Sequence, residues 1–192
     1  MRILANDLAD EIIEQLAIQF GLPRPFFQDL KAENDWSFVI KLHAFVEAAI
    51  TQLLTTYFED EKLSLIFERL ELSNTTTGKV AFCKAADLID ADYRNLIVKL
   101  SEIRNQYVHK VSYCVKPLSE IISTYDRQQP ENFAKAFDPP TAGQVRRLTD
   151  NNDKVNAMKQ AARANPKDYI WYGVYTLFCH IAEKTTSHDS QT

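Results

Sequence analysis

The sequence predicts an all-α helical bundle, and three observations carry that prediction. Apolar residues recur at three- and four-residue spacing along almost the whole chain. No stretch alternates apolar and polar residues well enough to demand a strand. Only four glycines, Gly21, Gly78, Gly143 and Gly173, interrupt 192 residues. The expectation is one domain over residues 1–192, built from four or five main helices.

The elements follow in order. Leu4, Leu8, Ile12, Leu16 and Phe20 recur every four residues until Gly21 and Pro23 stop the run. Asn34 or Asp35 can cap a helix from Trp36 to Phe58, with Phe38, Leu42, Phe45, Ala49 and Leu53 inward. A short helix is expected over Leu63–Leu72, followed by the polar connector Ser73–Gly78. Lys79–Ile89 reads as helical with Val80, Cys83 and Ala86 inward, and Asp90 or Asp92 caps a longer helix from Tyr93 to about Val115. Pro117 breaks that helix and Leu118–Tyr125 continues. Residues 127–143, with Pro130, Pro139 and Pro140, read as a loop holding one helical turn around Phe133–Phe137. Val145–Arg163 is polar and helical in part, and Pro166 starts a final helix through about Lys184.

Composition excludes several functions. The glycines are too dispersed for a phosphate loop or a dinucleotide fingerprint, which argues against P-loop NTPases and Rossmann oxidoreductases. There is no Gly-x-Ser-x-Gly elbow for a hydrolase. Cys179-His180 is too isolated to suggest zinc, so neither a metal nor a cofactor is expected. No run of about 18 apolar residues is present and the N-terminus has no signal-peptide core, so no membrane span is expected. Three isolated cysteines, Cys83, Cys114 and Cys179, suit a reduced cytoplasmic protein with buried thiols. Residues 1–76 carry 13 acids and 6 bases, while residues 77–192 carry 13 acids and 16 bases. The second half can therefore present a local site for an anionic ligand, or the two halves can simply pair within one fold.

One constellation carries chemistry. Residues 100–109 read Leu-Ser-Glu-Ile-Arg-Asn-Gln-Tyr-Val-His. On a helical wheel with Glu102 at zero, Asn105 falls at about 300° and His109 at about 340°, so the three share a face. Leu100, Ile103, Tyr107, Val111 and Cys114 form the opposite, inward stripe, and Arg104 stands at its margin. A guanidinium is a permanently charged donor fork for phosphate, and an imidazole exchanges protons near neutral pH. Such a pair is sufficient for transesterification of RNA, in which a base deprotonates the ribose 2′-OH and Arg stabilises the developing charge. An Arg-x4-His spacing arises by chance about once in five such chains, and Asn directly after Arg lowers this to roughly one in a hundred. The alternative reading is an exposed Asn–His pair with Arg104 salt-bridged to Glu.

At these residues the sequence resembles the HEPN superfamily, whose mark is Arg-x4–6-His, often Arg-Asn-x3-His, late in a helix. Trp36–Phe58, with Phe45-Val46-Glu47-Ala48-Ala49 at its centre, looks like that family's first long core helix. Lys79–Ile89 looks like the helix before the motif helix. In element order the chain is most similar to the mannitol-operon repressor branch, with a long connection after the motif and a last apolar helix at Tyr169–Ala182. The likeness covers about residues 33–125 plus the final helix, 166–184. It implies a HEPN-like bundle with additional N- and C-terminal helices, a homodimer with the motif near its interface, and metal-independent endoribonuclease activity in toxins or phage defence. Carried over, Arg104 would contact phosphate, Asn105 would orient, and His109 would be the general acid/base. The toxin subgroup has Tyr two residues after His, where this chain has Val111. A protein partner or antitoxin, or a non-catalytic transcriptional regulator of the repressor type, is the alternative the same likeness implies. A helical dimerisation module is a third reading.

Other candidates carry weaker signals. Trp171, Tyr175, Phe178 and Ala182 form a stripe that reads as packing more readily than base stacking, with Tyr169 and Tyr172 toward solvent. Arg146, Arg147, Lys154, Lys159, Arg163 and Lys167 make residues 141–169 basic, a phosphate-backbone candidate or a solvated helix face. His43, between apolar neighbours, reads as a core-edge histidine, and His188 lies in the tail.

Overall fold

In the computed structural model the structure describes residue 11 and residues 14–123, 129–138 and 152–189. Among these, every regular element is helical, as the periodicity predicts. The order is α1 (residues 14–19), α2 (Phe26–Ala32), α3 (Asp35–Phe58), α4 (Ser64–Arg69), α5 (Lys79–Ala85), α6 (Ala91–His109), α7 (Leu118–Ser123), α8 (Gln129–Ala136), α9 (Asn152–Ala164) and α10 (Pro166–Asp189). Single turns of 3-10 helix stand at Glu61–Leu63 and Val111–Tyr113.

The bundle is organised around α3. Asn34 caps it, its Oδ1 accepting from the Ser37 N–H at 3.0 Å, and Glu59 ends it in the left-handed region at φ 52°. Phe38, Leu42, Phe45, Ala49 and Leu53 are all buried, because three-four spacing keeps them on faces that meet α2, α5, α6 and α10. Phe45 stands edge-to-face against Phe27 of α2 at 4.6 Å and against Phe178 of α10 at 5.0 Å. Helix α3 is long and apolar enough by length and mean hydropathy to cross a membrane, and 61% of that apolar window is buried inside the bundle. Its apolar character is thus taken up by packing on several sides.

Helix α6 packs on α3 and α10 and buries Leu96, Ile97, Leu100, Ile103 and Tyr107. Helix α10 closes the other side of α3, and its Gly173 faces Leu96 of α6 and the backbone of Phe137, just past the end of α8. A Cβ there would stand 2.8 Å from the Phe137 carbonyl oxygen and 3.0 Å from Leu96 Cδ1. After Pro117 the chain is tied back to the start of α3, where the Leu118 N–H donates to Asp35 Oδ2 at 2.8 Å.

Several elements differ from expectation. Helix α6 ends at His109, six residues before the expected Val115, because Lys110 adopts φ −126°, ψ 92°. Past that point the helical wheel no longer applies. Val111 is 84% exposed and Cys114 is exposed, where both were expected on the inward stripe. Of the three thiols only Cys83 is buried, and burial pushes its pKa up to about 12. Helix α5 ends at Ala85 rather than Ile89, because Asp87 takes a left-handed conformation at φ 56°. The expected Leu63–Leu72 helix stops at Arg69. Helix α8 is a full two turns where a loop with one turn was expected, held by complete burial of Phe133 and Phe137. Helix α10 runs five residues past Lys184. Leu16 and Phe20 pack on the core, while Leu4, Leu8 and Ile12 lie outside the described residues.

Candidate functional site

The Arg104–Asn105–His109 constellation occupies the last turns of α6. The inward stripe of Leu100, Ile103 and Tyr107 fixes the rotation of the helix, and the Tyr107 hydroxyl donates to the Lys116 carbonyl at 3.2 Å. That rotation leaves Glu102 and His109 exposed and Arg104 and Asn105 half-buried. Arg104 Nη1 donates to Asn105 Oδ1 at 2.9 Å, so the guanidinium turns from the margin of the apolar stripe toward the polar face. Among the described residues Arg104 makes no ion pair, and Glu102 is bridged by Lys99. The alternative of an Arg104–Glu salt bridge is therefore not what the side chains do. His109 makes no hydrogen bond or ion pair among the described residues. The structure brings Arg104 and Asn105 into contact and sets His109 one turn beyond Asn105 with both ring nitrogens unengaged.

Beneath this surface lies a polar seam. His43 of α3 is 7% exposed, and its Nε2 is 3.0 Å from Ser101 Oγ. Ser101 spends its one hydroxyl proton on the Ile97 carbonyl at 2.9 Å, so its oxygen accepts from His43 Nε2–H. This fixes the tautomer. Burial, and after it the positive charge of Arg104, pushes the His43 pKa down to about 4, with Glu47 opposing and Lys79 adding. Lys79 of α5, 1% exposed, reaches Glu47 Oε1 at 2.7 Å. His43 is thus a buried, hydrogen-bonded residue of the α3–α6 contact. The sequence reading had it only at the core edge and missed Glu47, Lys79 and Ser101. The available signal was His43 and Glu47 one turn apart among the apolar residues of α3, and Ser101 one turn after Ile97.

Around the end of α6 three valines are open to solvent among lysines. Val108 is 45% exposed, Val111 84% and Val115 89%. The Lys110 and Lys116 ammonium groups stand over the Tyr113 ring at 4.7 and 5.2 Å.

The remaining candidates resolve into packing or ion pairs. Phe178 is buried, Trp171 and Tyr175 pack against the core, and Tyr172 faces solvent. Tyr169 is half-buried on Phe133 rather than free toward solvent. His180 Nε2 lies 3.1 Å from the Leu88 carbonyl and its ring packs on Tyr93. In the basic stretch, Lys159 bridges Glu131, Lys167 bridges Asp35 at 3.6 Å, and Arg163 is exposed. Arg146 and Arg147 lie outside the described residues, as do the side chains of Lys154 and His188. Among the described residues no group of three or more His, Cys, Asp and Glu could hold a metal ion. Compared with family models, curated proteins and solved structures, the chain matches none.

Proposed function

We propose that this protein is a HEPN-type RNA-binding protein that acts as a metal-independent endoribonuclease in defence or RNA processing. The observation that carries this reading is the half-buried Arg104 guanidinium, which has no carboxylate partner among the described residues and is held by Asn105 on the face that carries His109. A cation left without an acid partner beside an unengaged imidazole suits an incoming phosphodiester. In the proposed reaction His109 takes the proton of the ribose 2′-OH, and the oxygen attacks the adjacent phosphorus. Arg104 stabilises the charge gathering on the non-bridging oxygens. The P–O5′ bond breaks, leaving a 2′,3′-cyclic phosphate and, once protonated, a 5′-hydroxyl.

One imidazole serves one end of this proton traffic. A second copy of the chain, facing the first across Val108, Val111 and Val115, would supply another Arg104 and His109. The reading therefore includes a cytoplasmic homodimer. The test is RNA cleavage in EDTA by wild type beside His109→Ala. Cyclic-phosphate ends from wild type and none from the variant support the assignment. Equal cleavage by both proteins refutes it.

The exposed valines favour a second reading, a helical dimerisation module or a regulator of the mannitol-operon repressor type that binds a protein partner without cutting. Salt separates the two. RNA affinity carried by phosphate contacts falls steeply with ionic strength, whereas an apolar protein contact depends on it weakly.

A further inference from the structure

The polar face of α6 does not stop at the motif. Asp92, Asn95, Lys99, Glu102, Asn105 and His109 follow three- and four-residue steps, so they form one stripe along the helix. From Asn95 to His109 that stripe is about 21 Å long at 1.5 Å per residue. Its N-terminal half is walled by α8. Between the two helices lies a groove of about 350 Å³, lined by Asp92, Asn95, Val98 and Lys99 of α6 and by Asn132, Lys135 and Ala136 of α8.

The lining has a distinct chemistry. Val98 and Ala136 offer an apolar surface, and Ala136 is itself buried. Asn95 and Asn132 are exposed, and neither side-chain amide makes a hydrogen bond among the described residues. Each amide offers both donors and an acceptor, the pattern that reads the edge of a nucleobase. Lys99 pairs with Glu102 and Lys135 with Glu131, and Asp92 adds an acid to the lining, so the groove has no excess of positive charge and suits an uncharged planar ring better than a bare anion. The volume is at the lower end of the range of ligand sites, about 300 to 1,000 Å³, and matches a single nucleotide unit better than a folded partner.

We infer that the α6–α8 groove is a base-binding subsite for single-stranded RNA, several nucleotides along the strand from the phosphate presented to Arg104 and His109. This rests on the ribonuclease reading and extends it. The strand would follow the α6 stripe, one base lying on Val98 and Ala136 with its edge on Asn95 and Asn132.

The experiment is fluorescence anisotropy with a labelled single-stranded octanucleotide, non-cleavable through 2′-O-methylation, against a dinucleotide of the same chemistry. Wild type should bind the octanucleotide more tightly than the dinucleotide. Asn95→Ala and Asn132→Ala should each weaken octanucleotide binding about five- to tenfold and shrink the advantage of length. Both residues are exposed, so the variants should fold, which circular dichroism checks. Unchanged octanucleotide affinity in both variants overturns the inference, as does wild-type affinity that does not grow with length. These readings are of binding alone, so they are separable from the cleavage test. Equal cleavage by wild type and His109→Ala strikes the ribonuclease assignment, whereas groove variants that bind normally strike only the subsite.

Discussion

Arg104 Nη1 donates to Asn105 Oδ1 at 2.9 Å, a hydrogen bond between neighbours in sequence that turns a guanidinium out of the apolar margin of α6. Adjacent residues on a helix point about 100° apart, so the bond forms only because the long arginine stem bends round the helix. Asn105 thus acts as a tether for the cation. Asn105→Ala removes the tether and leaves the charge in place. Loss of one hydrogen bond to a charged group is worth about 1.5–3 kcal/mol, so the efficiency of the proposed cleavage should drop by about ten- to a hundredfold. Arg104→Lys, which keeps charge but loses the planar fork, should lose at least as much. Steady-state cleavage by the two variants checks both statements.

How far this site was legible follows from where local rules hold. Inside α6 the 3.6-residue period places Leu100, Ile103 and Tyr107 inward and Glu102 and His109 outward, and the structure agrees. The same wheel fails at Val111 and Cys114. The helix ends at His109, eight residues ahead of Pro117, the nearest proline signal. The His43–Ser101 bond joins residues 58 apart, and the Lys79–Glu47 pair joins residues 32 apart. Neither partner choice has any local signature, so the seam under the motif emerges only from the packing of α3, α5 and α6. Helix α8 was hidden for a different reason. Pro130 sits in its first turn, where a proline is tolerated, while composition alone read as a loop.

The buried His43 should make stability depend on acidity. Its folded pKa is pushed down to about 4 from an ordinary 6.5, so the unfolded chain binds more protons between those values. The contribution is complete above about pH 6.5 and is lost as the pH falls through 4. Two and a half units correspond to about 3 kcal/mol at most. Urea unfolding at pH 7 and pH 4.5 should show that slope. In His43→Gln, which keeps a donor toward Ser101 and cannot titrate, the loss over this interval should shrink. An unchanged slope would place the acid sensitivity elsewhere.

Lys79 and Glu47 differ sharply in exposure, with the lysine side chain 1% and the glutamate 36% exposed. Removing the acid strands a buried cation, whereas removing the cation leaves an acid that water can reach. Glu47→Gln should therefore destabilise by about 3 kcal/mol, and Lys79→Met should cost clearly less. Chemical denaturation midpoints at neutral pH decide the order. The reverse order would mean that the Lys79 ammonium is stabilised by groups other than Glu47.

Gly173 tests how closely α10 approaches α6 and the Phe137 backbone that follows α8. A Cβ there meets the Phe137 carbonyl oxygen at 2.8 Å and Leu96 Cδ1 at 3.0 Å. The oxygen belongs to backbone and cannot swing aside as a side-chain tip would. Gly173→Ala gains helix propensity of about 1 kcal/mol, yet overpacking costs about 1–3 kcal/mol, so the net change should be destabilising. A melting temperature at or above that of wild type would show that α10 shifts away from these neighbours easily.

The exposed valines bear on whether the proposed chemistry needs two chains. Val111 and Val115 are 84% and 89% exposed, and the proposed facing copy would cover them. Val111→Asp puts a charge on that surface without touching the core, so the monomer should keep its helical content and its unfolding midpoint. If the second imidazole comes from a facing copy, sedimentation should show the wild-type dimer giving way to a monomer. Cleavage should then fall with it and become dependent on protein concentration. A wild type that sediments as a monomer while it cleaves RNA would instead require both proton transfers to run through one His109 and solvent, and the facing arrangement would have to be abandoned.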